Sequence, residues 1–264
     1  MAYRFLFLLL VAIALCTGCS DDSVAPIAPP PTLTLLVTND DGIAAPGIDT
    51  LVNALVAMDD VDVKVVAPAE NQSGSSDRTT DGKLEREDSA TVSGYQSVAV
   101  FGFPADAVNV ALNELAIKPD LVVSGVNAGQ NVGPFAALSG TVGAARTAAR
   151  AGVPAVAVSA GLVPATQDFG AAAALVVDWI TSNRSALLSG IASASTVTSF
   201  NVPGCTAGNM RELVQVPLGN ALPTGGPGAI FATDCSAEPD APPTSDVDAM
   251  VKGYASVTQV PLNF

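Results

Sequence analysis

Short apolar, β-rich runs alternate along this chain with stretches whose apolar residues return every three or four positions. The run LTLLVT at 33–38 reads as a buried strand. Over 46–59, Ile48, Leu51, Val52, Leu55 and Val56 fall on one face of a helix with a proline near its start. The run VDVKVVA at 61–67 is the next strand, so this segment forms a βαβ unit with parallel strands and a right-handed crossover. Residues 69–95 are rich in Ser, Thr, Asp and Gly and read as a long loop or hairpin excursion.

The alternation then resumes. It predicts a strand over 97–102, a helix over 104–115, a strand over 120–124, a Gly- and Asn-rich loop over 125–138, a helix over 140–151, a strand over 153–159 and a helix over 169–180. Beyond about residue 190 come strand-like runs at 196–202 and 211–216, a loop over 218–245 rich in Gly, Pro and Asp, and a last strand over 254–260. The expected fold is α/β over 33–264: a three-layer architecture with an open parallel sheet, helices on both faces and a C-terminal strand and loop extension.

The amino terminus has a different pattern. Arg4 precedes the apolar run FLFLLLVAIAL at 5–15, which is shorter than the ~20 residues needed to span a bilayer but suits a signal segment. The sequence Cys16-Thr17-Gly18-Cys19 resembles a bacterial lipoprotein cleavage box, with Cys16 where leucine is usual. We therefore expect a signal peptide over 1–18, a lipid anchor on Cys19 and a Pro-rich tether over 19–32; an ordinary signal peptide is the alternative. The protein would be an exported bacterial lipoprotein, held in the periplasm at the outer membrane, which Ser20 favours. An oxidising compartment favours a disulfide between Cys205 and Cys235 over two separate buried thiols.

Composition narrows the chemistry. Among 264 residues, 49% are hydrophobic and 14% charged, so the chain can bury a sizeable core and is not disordered as a whole. The net charge of −14 repels a DNA or RNA backbone, and no nucleic-acid partner is expected. The chain has no histidine. That excludes a Ser-His-Asp triad, a Cys-His pair, a phosphohistidine and a His-ligated zinc site. A bound metal must sit among oxygen donors, which suits Mg²⁺, Mn²⁺ or Ca²⁺.

In an open α/β sheet, ligands bind outside the carboxyl ends of the strands. The turn Asn39-Asp40-Asp41-Gly42 follows the first strand and reads either as a hard-metal site or as a solvated turn. The segment PAENQSGSS at 68–76 follows the second and brings Ser73 and Gly74 to the same edge, where a plain surface loop is the other reading. The segment SGVNAGQNVGPFAALSGT at 124–141 supplies Asn127 and Asn131, and Ser139, Gly140 and Thr141 open a helix. A helix start with hydroxyls is a ready anion site, although Ser139 also suits an ordinary N-cap. The dinucleotide fingerprint and the P-loop are both absent.

These segments, with GFPADAVNVAL (102–112), GVPAVAVS (152–159), FNVPG (200–204) and SDVDAMVKGYASVTQVPL (245–262), resemble the survival protein SurE family of metal-dependent 5′/3′-nucleotidases. The resemblance implies a Rossmann-like domain whose C-terminal extension exchanges contacts in a homodimer or homotetramer. It implies a divalent cation (Mg²⁺ or Mn²⁺) on Asp40, Asp41, Ser73 and Asn127, with Asp40 and Asp41 catalytic. Asn131, Ser139, Gly140, Thr141 and the Ser73-Gly74 turn would lie near the substrate phosphate, and Asn39 would support the site. The implied reaction is hydrolysis of nucleoside 5′- and 3′-monophosphates, in which a metal-bound water or one of the aspartates attacks phosphorus. A non-catalytic envelope lipoprotein that binds nucleotides or other anions is the alternative. The chain departs from the family where Phe103 replaces a usual threonine, where Leu138 replaces a common aromatic, and over 77–95.

Overall fold

Strand β1 (Leu33–Thr38) lies near the centre of a nine-stranded sheet, and each of its neighbours is parallel to it. The computed structural model describes residues 30–264 except 225, 227 and 232. The expected signal peptide and Cys19 lie outside the described residues, as does the tether up to residue 29. From β1 the chain runs through α1 (Pro46–Val56), β2 (Val61–Pro68), β3 (Arg86–Ala90), β4 (Gln96–Val100), α2 (Pro104–Asn109) and β5 (Leu121–Ala128). It continues through α3 (Gly140–Arg150), β6 (Ala155–Ala160), α4 (Phe169–Leu188) and β7 (Thr196–Val202). The extension holds β8 (Cys205–Ala207), β9 (Arg211–Gln215), α5 (Gly228–Phe231), β10 (Thr233–Asp234), α6 (Asp246–Val251) and β11 (Tyr254–Pro261).

The strand order is β3-β4-β2-β1-β5-β6-β7-β11-β9. The strands from β4 to β7 are mutually parallel, so all their carboxyl ends meet at one edge. The chain order reverses between β1 and β5, which makes the crevice there the topological switch point. Side-chain alternation sorts the core into two layers. Leu35, Val37 and Val123 face α1 and α4 through Ile48, Leu51, Val176 and Ile180. Leu36 and Val122 face α2 and α3 through Val108, Ala144 and Ala148.

Several boundaries differ from the sequence expectation. Helix α1 stops at Val56, short of 59, because the chain turns there and Asp60 adopts φ 55°; Val56 is exposed rather than part of the buried face. The excursion at 69–95 contains β3, which forms an antiparallel hairpin with β4. The helix expected over 104–115 is α2 followed by a π-helical turn over Val110–Glu114. The strand expected to end at 124 continues to Ala128, across an irregular step against β6 between Ser124 and Asn127. Helix α4 runs on to Leu188, past Thr181, Ser182 and Asn183, whose side chains all donate to carbonyls four residues back.

The sheet is not wholly parallel. Strand β11 enters antiparallel to β7 and carries β9 on its far side. Helix α6, absent from the sequence reading, is capped by Ser245, whose hydroxyl accepts the Asp248 N–H. Cys205 and Cys235 are disulfide-bonded and pin the loop between β9 and β11 against β8. No helix among the described residues is long and apolar enough to cross a membrane.

Candidate functional site

The site is assembled at the switch point from three strand ends and one helix start. Asn39, Asp40 and Asp41 leave the end of β1. Asn39 is fully buried and its side-chain amide donates to Gly42 O at 2.8 Å, which closes the turn. Asp40 is 2% exposed, and its Oδ1 accepts the Thr141 hydroxyl at 2.7 Å. Burial pushes the Asp40 carboxyl up to about 6; the Thr141 hydrogen bond opposes this and the neighbouring Asp41 charge adds to it. Asp41 is less enclosed, and its Oδ2 accepts the Ala128 N–H at 2.8 Å from the end of β5. Burial raises its carboxyl too, and that N–H pulls the other way.

Strand β5 reaches this point because its irregular step admits glycine. Gly125 has φ 139°, and a Cβ there would lie 2.2 Å from Val158 O. The step brings Asn127 opposite Ser159 of β6 and sets the Ala128 N–H toward Asp41. The Asn127 amide donates to Gly129 O and is buried.

The helix start at α3 closes the other side. Ser139 is its N-cap and accepts the Val142 N–H at 3.1 Å. A Cβ on Gly140 would meet Asp40 Oδ2 at 2.9 Å and Ser75 Oγ at 2.8 Å, so three segments converge there. The loop after β2 is held by Gln72 N–H, which donates to Asp40 O at 2.7 Å. Asn71 donates to Asp41 Oδ1 at 3.4 Å, and its own Oδ1 accepts the Ser73 N–H.

A buried polar chain supports the carboxylates. Asn131 donates to Ser159 Oγ at 2.9 Å and, at the long limit of 3.5 Å, to Thr141 Oγ1. The Asn131 N–H donates to Asn201 Oδ1 at 2.7 Å, from the end of β7. Among the buried oxygens at this edge, Thr38 Oγ1, Asn39 Oδ1, Ser75 Oγ and Ser124 Oγ have no hydrogen-bond partner. Two carboxylates, neutral oxygens and orphaned polar atoms in one crevice are the donor chemistry of a hard divalent cation with an anionic ligand. Among the described residues no group of three or more His, Cys, Asp or Glu could hold a metal ion.

A family model described as "Survival protein SurE" matches residues 35–222. The chain belongs to the SurE family. A "5'/3'-nucleotidase SurE" of Citrobacter koseri is 35% identical over 248 residues, covering 86% of this chain and 89% of that protein. A "5'-nucleotidase SurE" of Geotalea uraniireducens is 38% identical, over 71% of this chain and 72% of that protein. The crystal structure of the SurE protein from Aquifex aeolicus superposes with a TM-score of 0.66 at 27% identity, covering 88% of this chain and 94% of that one.

Within this SurE chain, the residues singled out from sequence do gather on one edge, with differences in detail. Ser73 and Gly74 are exposed at the rim, and no hydrogen bond links Ser73 to either aspartate. Ser139 is occupied as a cap. Phe103 caps α2, and its ring lies 4.5 Å from the Arg78 guanidinium carbon, so the departure from threonine is paired with a cation. Leu138 is 60% exposed.

Sequence reasoning missed Asn71, Ser75, Ser159 and Asn201. Ser159 carries a usable signal: it is the polar residue near the end of an otherwise apolar strand, where a fully buried sheet has no other use for one, whereas Asn201 follows Thr196, Thr198 and Ser199 in a strand of mixed polarity. Two cavities border the turn after β1 or the loop after β2. One, of about 400 Å³, is lined by Asp41 and Asn71. The second, of about 280 Å³, is lined by Ala69, Gln72 and Phe103. A third, of about 770 Å³, lies apart by Val63 and Tyr95 and touches none of the site residues.

Proposed function

We propose that this chain is a divalent-metal-dependent phosphomonoesterase that hydrolyses nucleoside 5′- and 3′-monophosphates to nucleoside and phosphate. The observation that carries the reading is the convergence of Asp40, Asp41 and the α3 start on one crevice, in a chain whose relatives are named nucleotidases. Asp40, Asp41, Ser73 and Asn127 are the residues that would hold the cation. Bound there, it would polarise a phosphoryl oxygen and lower the pKa of a bound water.

The chain's own residues do the remaining work. Thr141 holds Asp40 in one orientation and supports its charge. The α3 start offers positive dipole to a phosphate beside Gly140, where a side chain would intrude. Asn131, fixed by Ser159 and Asn201, keeps Thr141 in register. Donors fixed before the substrate arrives need no reorganisation as charge develops on the transferring phosphoryl group.

The same proposal includes export and a lipid anchor on Cys19. The Cys205–Cys235 disulfide supports an oxidising compartment. Assembly as a homodimer or homotetramer is part of the proposal, and no nucleic-acid partner is, given the net charge of −14.

The test is phosphate release by the purified protein, stripped with chelator and resupplied with Mn²⁺ or Mg²⁺, on nucleoside 5′- and 3′-monophosphates. Release restored by metal and lost in Asp41→Asn is the expected result. Full turnover in Asp41→Asn overturns the assignment. Metal binding without release from any substrate leaves an anion-binding protein instead.

A further inference from the structure

We propose that the cavity beside Asp41 is the nucleoside subsite, and that the Phe169 ring is the surface on which the base stacks. This rests on the phosphomonoesterase reading and adds what recognises the organic part of the ester. The cavity has about 400 Å³, within the usual range for a small-molecule site. One end is lined by Asp41 and Asn71, which belong to the crevice already described. The rest of the wall includes Ala44, Ala45, Pro46 and Phe169.

That wall has the chemistry of a planar, uncharged group. Phe169 is half-buried and opens α4, where the Asp168 cap fixes the first turn by accepting the Ala171 N–H at 2.8 Å. Across the cavity the start of α1 is pressed onto β5: a Cβ on Gly47 would lie 1.9 Å from Val126 O and 3.4 Å from the Phe169 ring. The ring is therefore held by two helix starts rather than by a loose loop, which favours stacking at low entropic cost. The cavity lining includes no Lys or Arg, and its only charge is Asp41. Nothing basic in the lining would hold a second phosphate, so the site suits a monophosphate with a neutral body over a diphosphate. The lining offers a base few side-chain hydrogen bonds, so Phe169 ranks esters by the flat surface they carry.

The experiment compares the intact protein with Phe169→Ala, Phe169→Tyr and Ala44→Trp on two esters, adenosine 5′-monophosphate and glycerol phosphate. Adenosine binding is measured in parallel by equilibrium dialysis. Phe169→Ala should raise KM for the nucleotide about tenfold, with kcat nearly unchanged, and weaken adenosine binding by a similar factor. Its kcat/KM for glycerol phosphate should stay unchanged, and Phe169→Tyr should restore nucleotide KM. Ala44 is exposed, so Ala44→Trp fills the cavity without disturbing the core and should act on the nucleotide alone. Equal losses on both esters, no loss on the nucleotide, or no adenosine binding by the intact protein would each overturn the proposal. Adenosine bound through Phe169 without release from any ester would sink the phosphomonoesterase reading and leave the subsite standing.

Discussion

The Thr141 hydroxyl donates to Asp40 Oδ1 across 2.7 Å inside a crevice where both residues are buried. The bond lowers a carboxyl that burial raises, so it acts to keep Asp40 ionised. Thr141→Val removes the donor with little change of shape. A hydrogen bond to a charged group contributes about 1.5–3 kcal/mol, so kcat should fall roughly 10- to 100-fold. Thr141→Ser keeps the hydroxyl and should recover most of the rate. Steady-state phosphate release by the two variants checks this, and equal rates for both would remove Thr141 from the site.

Gly140 offers a test of crowding. Replacing a helical glycine by alanine ordinarily stabilises by about 0.5–1 kcal/mol. Here the new methyl would sit 2.8 Å from Asp40 Cβ and 2.8 Å from Ser75 Oγ. Gly140→Ala should lose at least about 100-fold in kcat/KM, of the order reported for groups misplaced by about an ångström. Gly170→Ala is the control, since its nearest neighbour would be Asp168 Oδ1 at an ordinary 3.5 Å. Its activity should match the parent. An active Gly140→Ala would mean that Asp40 and the 75 loop move freely.

Much of this site was legible because it lies at strand ends. Runs such as 33–38 and 61–67 announce parallel strands, and parallel order alone sends Asp40, Ser73 and Asn127 to one edge. In the folded strand, period-two alternation sends Leu35 and Leu36 to opposite layers. What failed was whatever depended on partners distant in sequence. The apolar run points to a strand ending at Ser124, whereas Gly125 carries a step that continues β5 and aligns Asn127 with Ser159. Ser75 carries no signal in the sequence that sets it apart from Ser73, because its burial against Gly140 is a tertiary fact. Strand β3 has little hydrophobic signal: it is an edge strand of mostly exposed residues, held by pairing with β4.

The disulfide should matter to stability and not to chemistry. It joins residues 30 apart in sequence, which in the chain-entropy picture stabilises the fold by roughly 3–4 kcal/mol. Neither cysteine contacts Asp40, Asp41 or Thr141 in the hydrogen-bonded site. The double replacement Cys205→Ser with Cys235→Ser should melt roughly 10 °C lower than the parent. Turnover near 25 °C should stay within about twofold, since the site residues are untouched. Thermal melts with and without reductant make the comparison. A melting point indifferent to reductant would mean that the bond contributes nothing.

Asp77 couples the site loop to the C-terminus and gives stability a defined pH dependence. Its Oδ2 accepts from Arg150 at 2.7 Å and lies 3.1 Å from Arg146, whose side chain is only 6% exposed. Arg146 also donates to Leu262 O and lies over the Phe264 ring. Burial works to raise the Asp77 carboxyl, but the Arg150 hydrogen bond and the Arg146 charge outweigh it and hold it below the ordinary range. A carboxyl depressed in the folded state stabilises that state wherever the unfolded group is ionised, above about pH 4. The contribution is lost as pH falls through the lower folded value. Asp77→Asn should therefore cost about 2 kcal/mol at pH 7, chiefly by leaving the Arg146 cation buried without its partner. The gap between variant and parent should close below about pH 4. Urea unfolding of both proteins from pH 7 to pH 3 measures it, and a gap that stayed constant would show that the Asp77 charge is not what holds the loop.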